Sequence, residues 1–427
     1  MLGGSPQNIG GFTDKSTTPL VVAGWAAYGE FGNQSRFPPH VFSGGRDTNS
    51  TWKQSITEEF KQISVGYSYV VGIKFDGTLW AWGRNSTGQV GDGTTIDKTA
   101  PVQIGSDTNW AKVAAGGFFL GGFAIAIKTT GTLWAWGGNG NGQLGDGTLI
   151  QKTTPVQIGS DTNWASVSCG ERHTIAIKTT GTLWGWGRNS SGQVGDGTTT
   201  ERTAPVQIGS DTNWASVSCG DGFSIAIKTT GTIWGWGSNT FGQNGTTASR
   251  TAPFQIGSAT NWATVSCGTA HAMAIKTTGT LWGWGDNGYG QLGDGTATQR
   301  TTPVQIGTDT NWAKVAAGKI HNMAIKTTGT LYAWGCNGGG QFGVITNTGA
   351  KEENDNYRNI YDPMEVGTLI DNTSSSTWEY AIPTRIGNAF TSYYYYYVYD
   401  DQGVLVNPLQ SSTIASAVIS PNARKTP

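Results

Sequence analysis

The sequence predicts an all-β fold: a seven-bladed β-propeller of four-stranded antiparallel blades, closed by N- and C-terminal strands that share one blade. Three observations predict it. A glycine-flanked aromatic signature recurs at Trp82, Trp136, Trp186, Trp236, Trp284 and Trp334 with a period of about 50 residues, enough for one four-stranded unit. Glycine supplies 65 of the 427 residues and tryptophan 19, while charged residues make up 13%, a mix that suits short strands and tight turns. Each copy also breaks into four short apolar segments separated by turn residues.

The copy running from Asn163 to Gly209 justifies the elements in order. Trp164-Ala-Ser-Val-Ser-Cys169 is strand A, and its small residues before a glycine fit the crowded innermost place. Thr174-Ile-Ala-Ile177 is strand B, and Lys178-Thr-Thr-Gly-Thr182 is a hairpin turn whose glycine can take positive φ. Leu183-Trp-Gly-Trp186 is strand C. After a glycine-rich loop comes Pro205-Val-Gln-Ile208, strand D, whose proline cannot donate to a ladder and therefore belongs at the sheet edge. One such unit cannot bury both its faces, so copies must stack. The repeated tryptophans, such as Trp164, Trp184 and Trp186, are read as blade packing, each contributing on the order of 4 to 6 kcal/mol gross.

The ends of the chain set the blade count. A degenerate seventh copy, Trp25-Ala-Ala-Tyr28-Gly29, begins at strand C. Its missing partners are expected from the C-terminus, where Pro383-Thr-Arg-Ile-Gly387 matches strand D and Tyr397-Val-Tyr399 through Leu405 matches B, the turn and the start of C. Ring closure would then join Trp25 and Tyr28 to Tyr397, Tyr399 and Leu405, removing the exposed edges of an open array. The expected organisation is an N-terminal extension over 1–19, the propeller over 20–406 with an insert at 344–380, and a C-terminal tail over 407–427.

These residues resemble the regulator of chromosome condensation repeat family. The resemblance rests on Trp-x-x-Val-x-x-Gly-x-x-His, an Ala-Ile-Lys strand, and Trp-Gly-x-Asn-x-x-Gly-Gln-Leu-Gly-Asp-Gly as in Trp136 to Gly147. It implies a seven-bladed propeller with two-ended closure. Members of that family are similar in fold but serve as exchange factors, inhibitors or interaction modules, so the resemblance does not choose a function. No motif here matches the GTPase-contacting residues of the exchange factors.

Candidate chemistry is sparse. His173, His271 and His321 share one repeat position, but Tyr69, Phe123 and Phe223 occupy it elsewhere, which reads as packing rather than a metal site. Cys169, Cys219 and Cys267 alternate with Ala115 and Ala317 and read as small buried residues. The Gly-Asp-Gly-Thr loops offer one carboxylate each, too few for calcium, and read as turns. Lys74, Lys128, Lys178, Lys228, Lys276 and Lys326 fall on the same face as Asp107, Asp161, Asp211 and Asp309, which predicts local charge compensation. No catalytic constellation, metal or cofactor site is expected, and the chain is read as non-enzymatic.

The net charge of -1 gives no basic field for nucleic acid, and no apolar run is long enough to span a membrane. The expected partners are proteins. Irregularity concentrates on the face carrying the A-to-B and C-to-D loops, above all in the insert at 344–380 with Lys351, Glu352, Glu353, Asp355, Tyr357, Arg358, Tyr361 and Trp378. Long loops on a rigid scaffold usually carry binding, so these residues are the expected partner contact, against a tolerated surface loop as the alternative. Low charge, near-copy repeats, polar tails and no visible export signal suggest a structural component of a large assembly, such as a bacteriophage virion appendage. The alternative is a cytoplasmic regulatory interaction module of the exchange-factor or inhibitor kind.

Overall fold

Apolar residues alternate with turn glycines in every repeat, so each repeat folds as an up-and-down meander before it meets its neighbours. The computed structural model describes residues 20–22, 60–118, 121–336, 359–372, 377–380, 397–399 and 405–406. Blade 1 consists of strands A to D at Phe60–Val65, Tyr69–Lys74, Leu79–Gly83 and Lys98–Gln103. Blade 2 has Trp110–Phe118, Gly121–Lys128, Leu133–Gly137 and Lys152–Ile158; blade 3 has Trp164–Cys169, His173–Lys178, Leu183–Gly187 and Arg202–Ile208. Blade 4 has Trp214–Cys219, Phe223–Lys228, Ile233–Gly237 and Arg250–Gln255; blade 5 has Trp262–Cys267, His271–Lys276, Leu281–Gly285 and Arg300–Ile306. Blade 6 has Trp312–Ala317, His321–Lys326, Thr330–Gly335 and Ile360–Asn372, with Thr377–Tyr380 added as a fifth strand.

Among the described residues the propeller has six blades, and the expectation of seven is corrected. The terminal segments do pair, but as a separate three-stranded sheet in which Tyr397–Tyr399 lies between Leu20–Val22 and Leu405–Val406. The N-terminal partner of Tyr397 and Tyr399 is thus Leu20–Val22; Trp25 and Tyr28 lie outside the described residues. The physical reason is visible in the sequence after Gly29. Glu30-Phe-Gly-Asn-Gln-Ser has neither the Gly-Gln-apolar-Gly run nor the Gly-Asp-Gly turn by which a repeat grips its successor.

Blade 6 carries a second correction. Its strand D is Tyr361-Asp-Pro-Met-Glu-Val366, while the strand D match at Pro383-Thr-Arg-Ile386 lies outside the described residues. Tyr332 pairs with Glu365, Ala333 with Met364 and Gly335 with Ile360, the register in which Trp184, Gly185 and Gly187 of blade 3 meet Gln207, Val206 and Arg202. Part of the region expected to be an insert is therefore the sixth outer strand and its continuation.

Packing places the hydrophobic core between blades rather than within them. Trp136, Trp186, Trp236, Trp284 and Trp334 are fully buried, each against the preceding blade, and each removes roughly 200 Å² from water, about 5 kcal/mol gross. The A-strand tryptophan meets both C-strand rings edge-on, as Trp164 does with Trp184 and Trp186 at 5.9 Å. Strands A of successive blades pack on one another along the axis.

Polar latches fix the stacking. The C-to-D loop of each of blades 1 to 5 reaches over the next blade, so that the Gln143 carbonyl accepts from Trp186 Nε1 at 2.9 Å and from Thr174 Oγ1 at 2.9 Å. Equivalent bonds run from Trp136 to the Gln89 carbonyl, Trp236 to Gln193, Trp284 to Gln243 and Trp334 to Gln291. Nearer the axis, Ser64, Ser168, Ser218 and Ser266 accept at Oγ from the backbone of Ala115, Cys219, Cys267 and Ala317 in the next blade.

Candidate protein-docking face

Antiparallel order sends the A-to-B and C-to-D loops to one face, here the upper face, and the B-to-C turns and D-to-A loops to the lower face. The C-to-D loops are rigid by construction. Asn189 donates from Nδ2 to Asp196, Thr198 and Thr200, and its Oδ1 accepts from Val194 N, so one buried amide closes the whole loop. Asp196 in turn accepts from Thr198 and holds Arg202 at 2.6 Å. Burial alone would raise this carboxyl, but the bonds from Thr198 and Arg202 outweigh it and hold the group below the ordinary aspartate value. The Gly-Asp-Gly-Thr segment is thus a structural turn whose carboxylate is already committed. Blade 4 lacks the aspartate, and Asn244 takes over its bonds to the Thr246 backbone and hydroxyl.

The repeated histidines are also committed to the scaffold. His173, His271 and His321 are buried, and a Cβ on Gly170, Gly268 or Gly318 would overlap the ring that lies on it. That overlap explains the Gly-x-x-His spacing, and Phe123 and Phe223 fit the same slot over Gly116 and Gly220. Ser224 Oγ donates to the Gln193 carbonyl and so accepts from His173 Nε2, at 2.9 Å; His271 Nε2 donates to Asn322 Oδ1 at 2.9 Å. Nδ1 of His173 and of His271 has no hydrogen-bond partner. Burial pushes His173 and His321 down to about 3 and His271 down to about 4. Cys169, Cys219, Cys267 and Cys336 are free and buried, and burial pushes the Cys219 thiol up to about 12. Among the described residues no group of histidine, cysteine and carboxylate side chains is placed to hold a metal.

The upper face departs from its own repeat at blade 2. There the A-to-B hairpin continues past Ala115–Ala124 through pairs ending at Phe118 and Gly121, whereas that of blade 3 ends at Cys169 and Thr174. Beside this projecting hairpin lies an open cavity of about 480 Å³, lined by Thr87 of blade 1, Gly121, Gly138, Asn141, Leu149 and Gln151 of blade 2, and Arg172 of blade 3. Two glycines keep it open. The residue before the loop asparagine is Arg84, Arg188, Ser238 or Asp286 in other blades, and Gly138 here; the residue after it is Ser86, Ser190 or Thr240 in blades 1, 3 and 4, and Gly140 here. A Cβ on Gly138 would come no closer than 3.4 Å to any atom, and one on Gly140 would meet nothing within 4 Å. Neither position has the positive φ that would demand glycine. The space therefore results from missing side chains, not from backbone strain.

Leu149 and Ile150 stand exposed on the rim, 55% and 65% accessible, where blade 3 carries two threonines. Arg172 lies 3.3 Å from Glu171 through Nε, and burial raises the Glu171 carboxyl against the opposing pull of Arg172, Arg188 and Lys319. Sequence reasoning missed this cavity, although the paired glycines within an aligned repeat were a readable signal.

The residues singled out from sequence are distributed differently. Lys351, Glu352, Glu353, Asp355, Tyr357 and Arg358 lie outside the described residues. Tyr361 sits on strand D of blade 6, 38% exposed, and its carbonyl accepts from Gly295 N at 2.9 Å, so it forms part of the blade 5 latch. Trp378 belongs to the added strand Thr377–Tyr380. On the lower face the expected charge compensation is present: Lys128, Lys178, Lys228 and Lys326 meet Asp107, Asp161, Asp211 and Asp309 at 2.7 to 2.8 Å.

With repeat, blade and latch described, comparison with known proteins decides the family. Residues 120–391 match the RCC1-like domain, and residues 60–89 and 76–121 match the regulator of chromosome condensation (RCC1) repeat. The chain belongs to the RCC1-like domain family. Among curated relatives, the RCC1-like chain is 30% identical over 145 residues to the ultraviolet-B receptor UVR8 of Arabidopsis thaliana, covering 33% of this chain and 30% of the receptor. It is 34% identical over 121 residues to the human probable E3 ubiquitin-protein ligase HERC6, covering 26% of this chain and 11% of that protein. The chain thus spans less than a third of the length of these relatives.

Solved structures agree on the fold. Human WBSCR16 superposes with a TM-score of 0.63 at 18% identity, covering 78% of this chain and 91% of that one. Prp20p of Saccharomyces cerevisiae, described with its binding properties to Gsp1p and histones, gives 0.60 at 18% identity and 88% of each chain. No helix among the described residues is long and apolar enough to cross a membrane.

Proposed function

We propose that this RCC1-like chain is a non-enzymatic protein-interaction module of the regulatory kind, and that its upper face meets the partner at the blade 2 cavity. The observation that carries this reading is the pair Gly138 and Gly140, which leave open a space that the larger residues of blades 1, 3 and 4 at both positions would narrow. Asn141 and Gln151 offer amides suited to a peptide backbone, Leu149 an apolar contact and Arg172 a cation, on loops that are rigid before binding. Residues 337–358, which include Lys351 to Arg358 and connect strands C and D of blade 6 in sequence, are a second proposed contact. Family membership favours this regulatory reading over the virion-appendage reading. Yeast RCC1 (Prp20) has been described bound to Kap60, which supports a protein as partner.

The test introduces Gly138→Arg, the residue that blades 1 and 3 carry at this place and accommodate, and Arg172→Ala. Affinity purification of the tagged chain from its native cells is expected to recover a protein that both variants lose at least tenfold, with unchanged thermal midpoints. Retention of the partner by both variants would refute the site. Sedimentation of the native chain with a particle of many megadaltons would overturn the regulatory reading in favour of a structural one.

A further inference from the structure

At two repeat positions cations of this propeller pair with an aspartate, and the repeat of blade 4 lacks the aspartate at both. At the start of strand D, Lys98, Lys152, Arg202 and Arg300 each hold the loop aspartate of their own blade, Asp92, Asp146, Asp196 and Asp294, at 2.6 to 3.1 Å. In blade 4 that aspartate is replaced by Thr246, and Asn244, which substitutes for it within the loop, is neutral. Arg250 consequently has no carboxylate among the described residues. Its Nε is buried without a hydrogen-bond partner, and the guanidinium lies 4.3 Å from the ring centre of Phe254.

The other end of the same strand repeats the pattern. In the D-to-A loops, Asp107, Asp161, Asp211 and Asp309 neutralise the lysine that ends the next strand B. The loop from blade 4 to blade 5 has Ala259 at this position, so Lys276 keeps its contacts to Trp262 and Trp282, 4.6 and 3.8 Å from the ring centres, but has no carboxylate partner among the described residues. Desolvation lowers the Lys276 pKa, as expected for an ammonium without a counter-charge. Phe254, beside Arg250, is 48% exposed where blades 1, 2, 3 and 5 carry valine and blade 6 carries Met364.

We propose that a strip running from Arg250 and Phe254 on strand D of blade 4 toward Lys276, at the end of strand B of blade 5, docks an acidic, extended segment of a partner protein. Its carboxylates would occupy the two places that aspartates fill in the other repeats, with an apolar side chain on Phe254. Charge complementarity selects this occupant, because each of the two cation positions faces a carboxylate in four other repeats. Strand D alone spans about 17 Å from Arg250 to Gln255, so the two acidic residues would stand at least five positions apart in an extended chain.

Fluorescence anisotropy of the full chain with a labelled peptide bearing two glutamates six residues apart around a leucine tests the strip. The acidic peptide is expected to bind at least tenfold more tightly than its glutamine counterpart. Ala259→Asp, which rebuilds the Lys228–Asp211 pair in blade 5 and so preserves or raises the thermal midpoint, is expected to weaken binding at least fivefold, as is Arg250→Gln. Gly138→Arg is expected to leave it unchanged. Equal binding of the two peptides, undiminished binding by Ala259→Asp, or displacement of the peptide by a short oligonucleotide at equal charge would each overturn the proposal.

Discussion

Acidification from pH 7 to pH 5 should destabilise this propeller steeply, through the three histidines locked between its blades. Each is neutral when folded, with its pKa depressed from 6.5 to about 3 for His173 and His321 and to about 4 for His271. The unfolded chain binds these protons near pH 6.5, so the stabilisation is complete above that pH and is lost as pH falls toward the folded values. Each proton bound only by the unfolded state contributes about 1.4 kcal/mol per pH unit, and three give about 4 kcal/mol per unit near pH 5. Glu171, raised by burial, opposes this by at most one proton, and the aspartates held below 3.8 act only in stronger acid. Urea-unfolding midpoints read by tryptophan fluorescence between pH 5 and 7 measure the slope. Replacing all three histidines by phenylalanine, the residue at 123 and 223, should remove most of it. A wild-type slope below that of one proton, or parallel slopes in the two proteins, would refute the assignment.

The remaining predictions concern the latches. Gly147→Ala meets open space and should lose only the cost of positive φ, about 1 to 2 kcal/mol, whereas Gly145→Ala adds a Cβ 2.8 Å from Trp186 Nε1 and should lose about 2 kcal/mol more; chemical denaturation distinguishes them. Asn189→Ala, which breaks the bonds that close the blade 3 loop, should cost about 3 kcal/mol, while Asp211→Ala, on an aspartate 54% exposed, should cost less than about 1 kcal/mol, a difference that paired melting curves will show. The four buried thiols should resist a disulfide reagent in the native protein and react together in denaturant, as thiol titration will record.

The repeat, its four strands and their order were legible because they depend on local signals: a two-residue alternation, turn glycines and a proline at each outer edge. The structural role of the tryptophans followed from the same period. The candidate site was legible only in part. Gly138 and Gly140 read as ordinary loop glycines until the structure showed that neither backbone nor neighbours require them.

By itself the sequence determined the all-β class and the four antiparallel strands of one blade, since a meander of four short strands is specified by neighbours in the chain. The blade count, the identity of Tyr361 to Val366 as the sixth outer strand, and the unpaired Arg250 and Lys276 were decided only by tertiary structure. Each depends on how one repeat grips the next, through bonds such as Trp186 to Gln143 that join residues some 40 positions apart. A pattern within one repeat carries no record of whether its neighbour supplies the matching loop, carboxylate or strand.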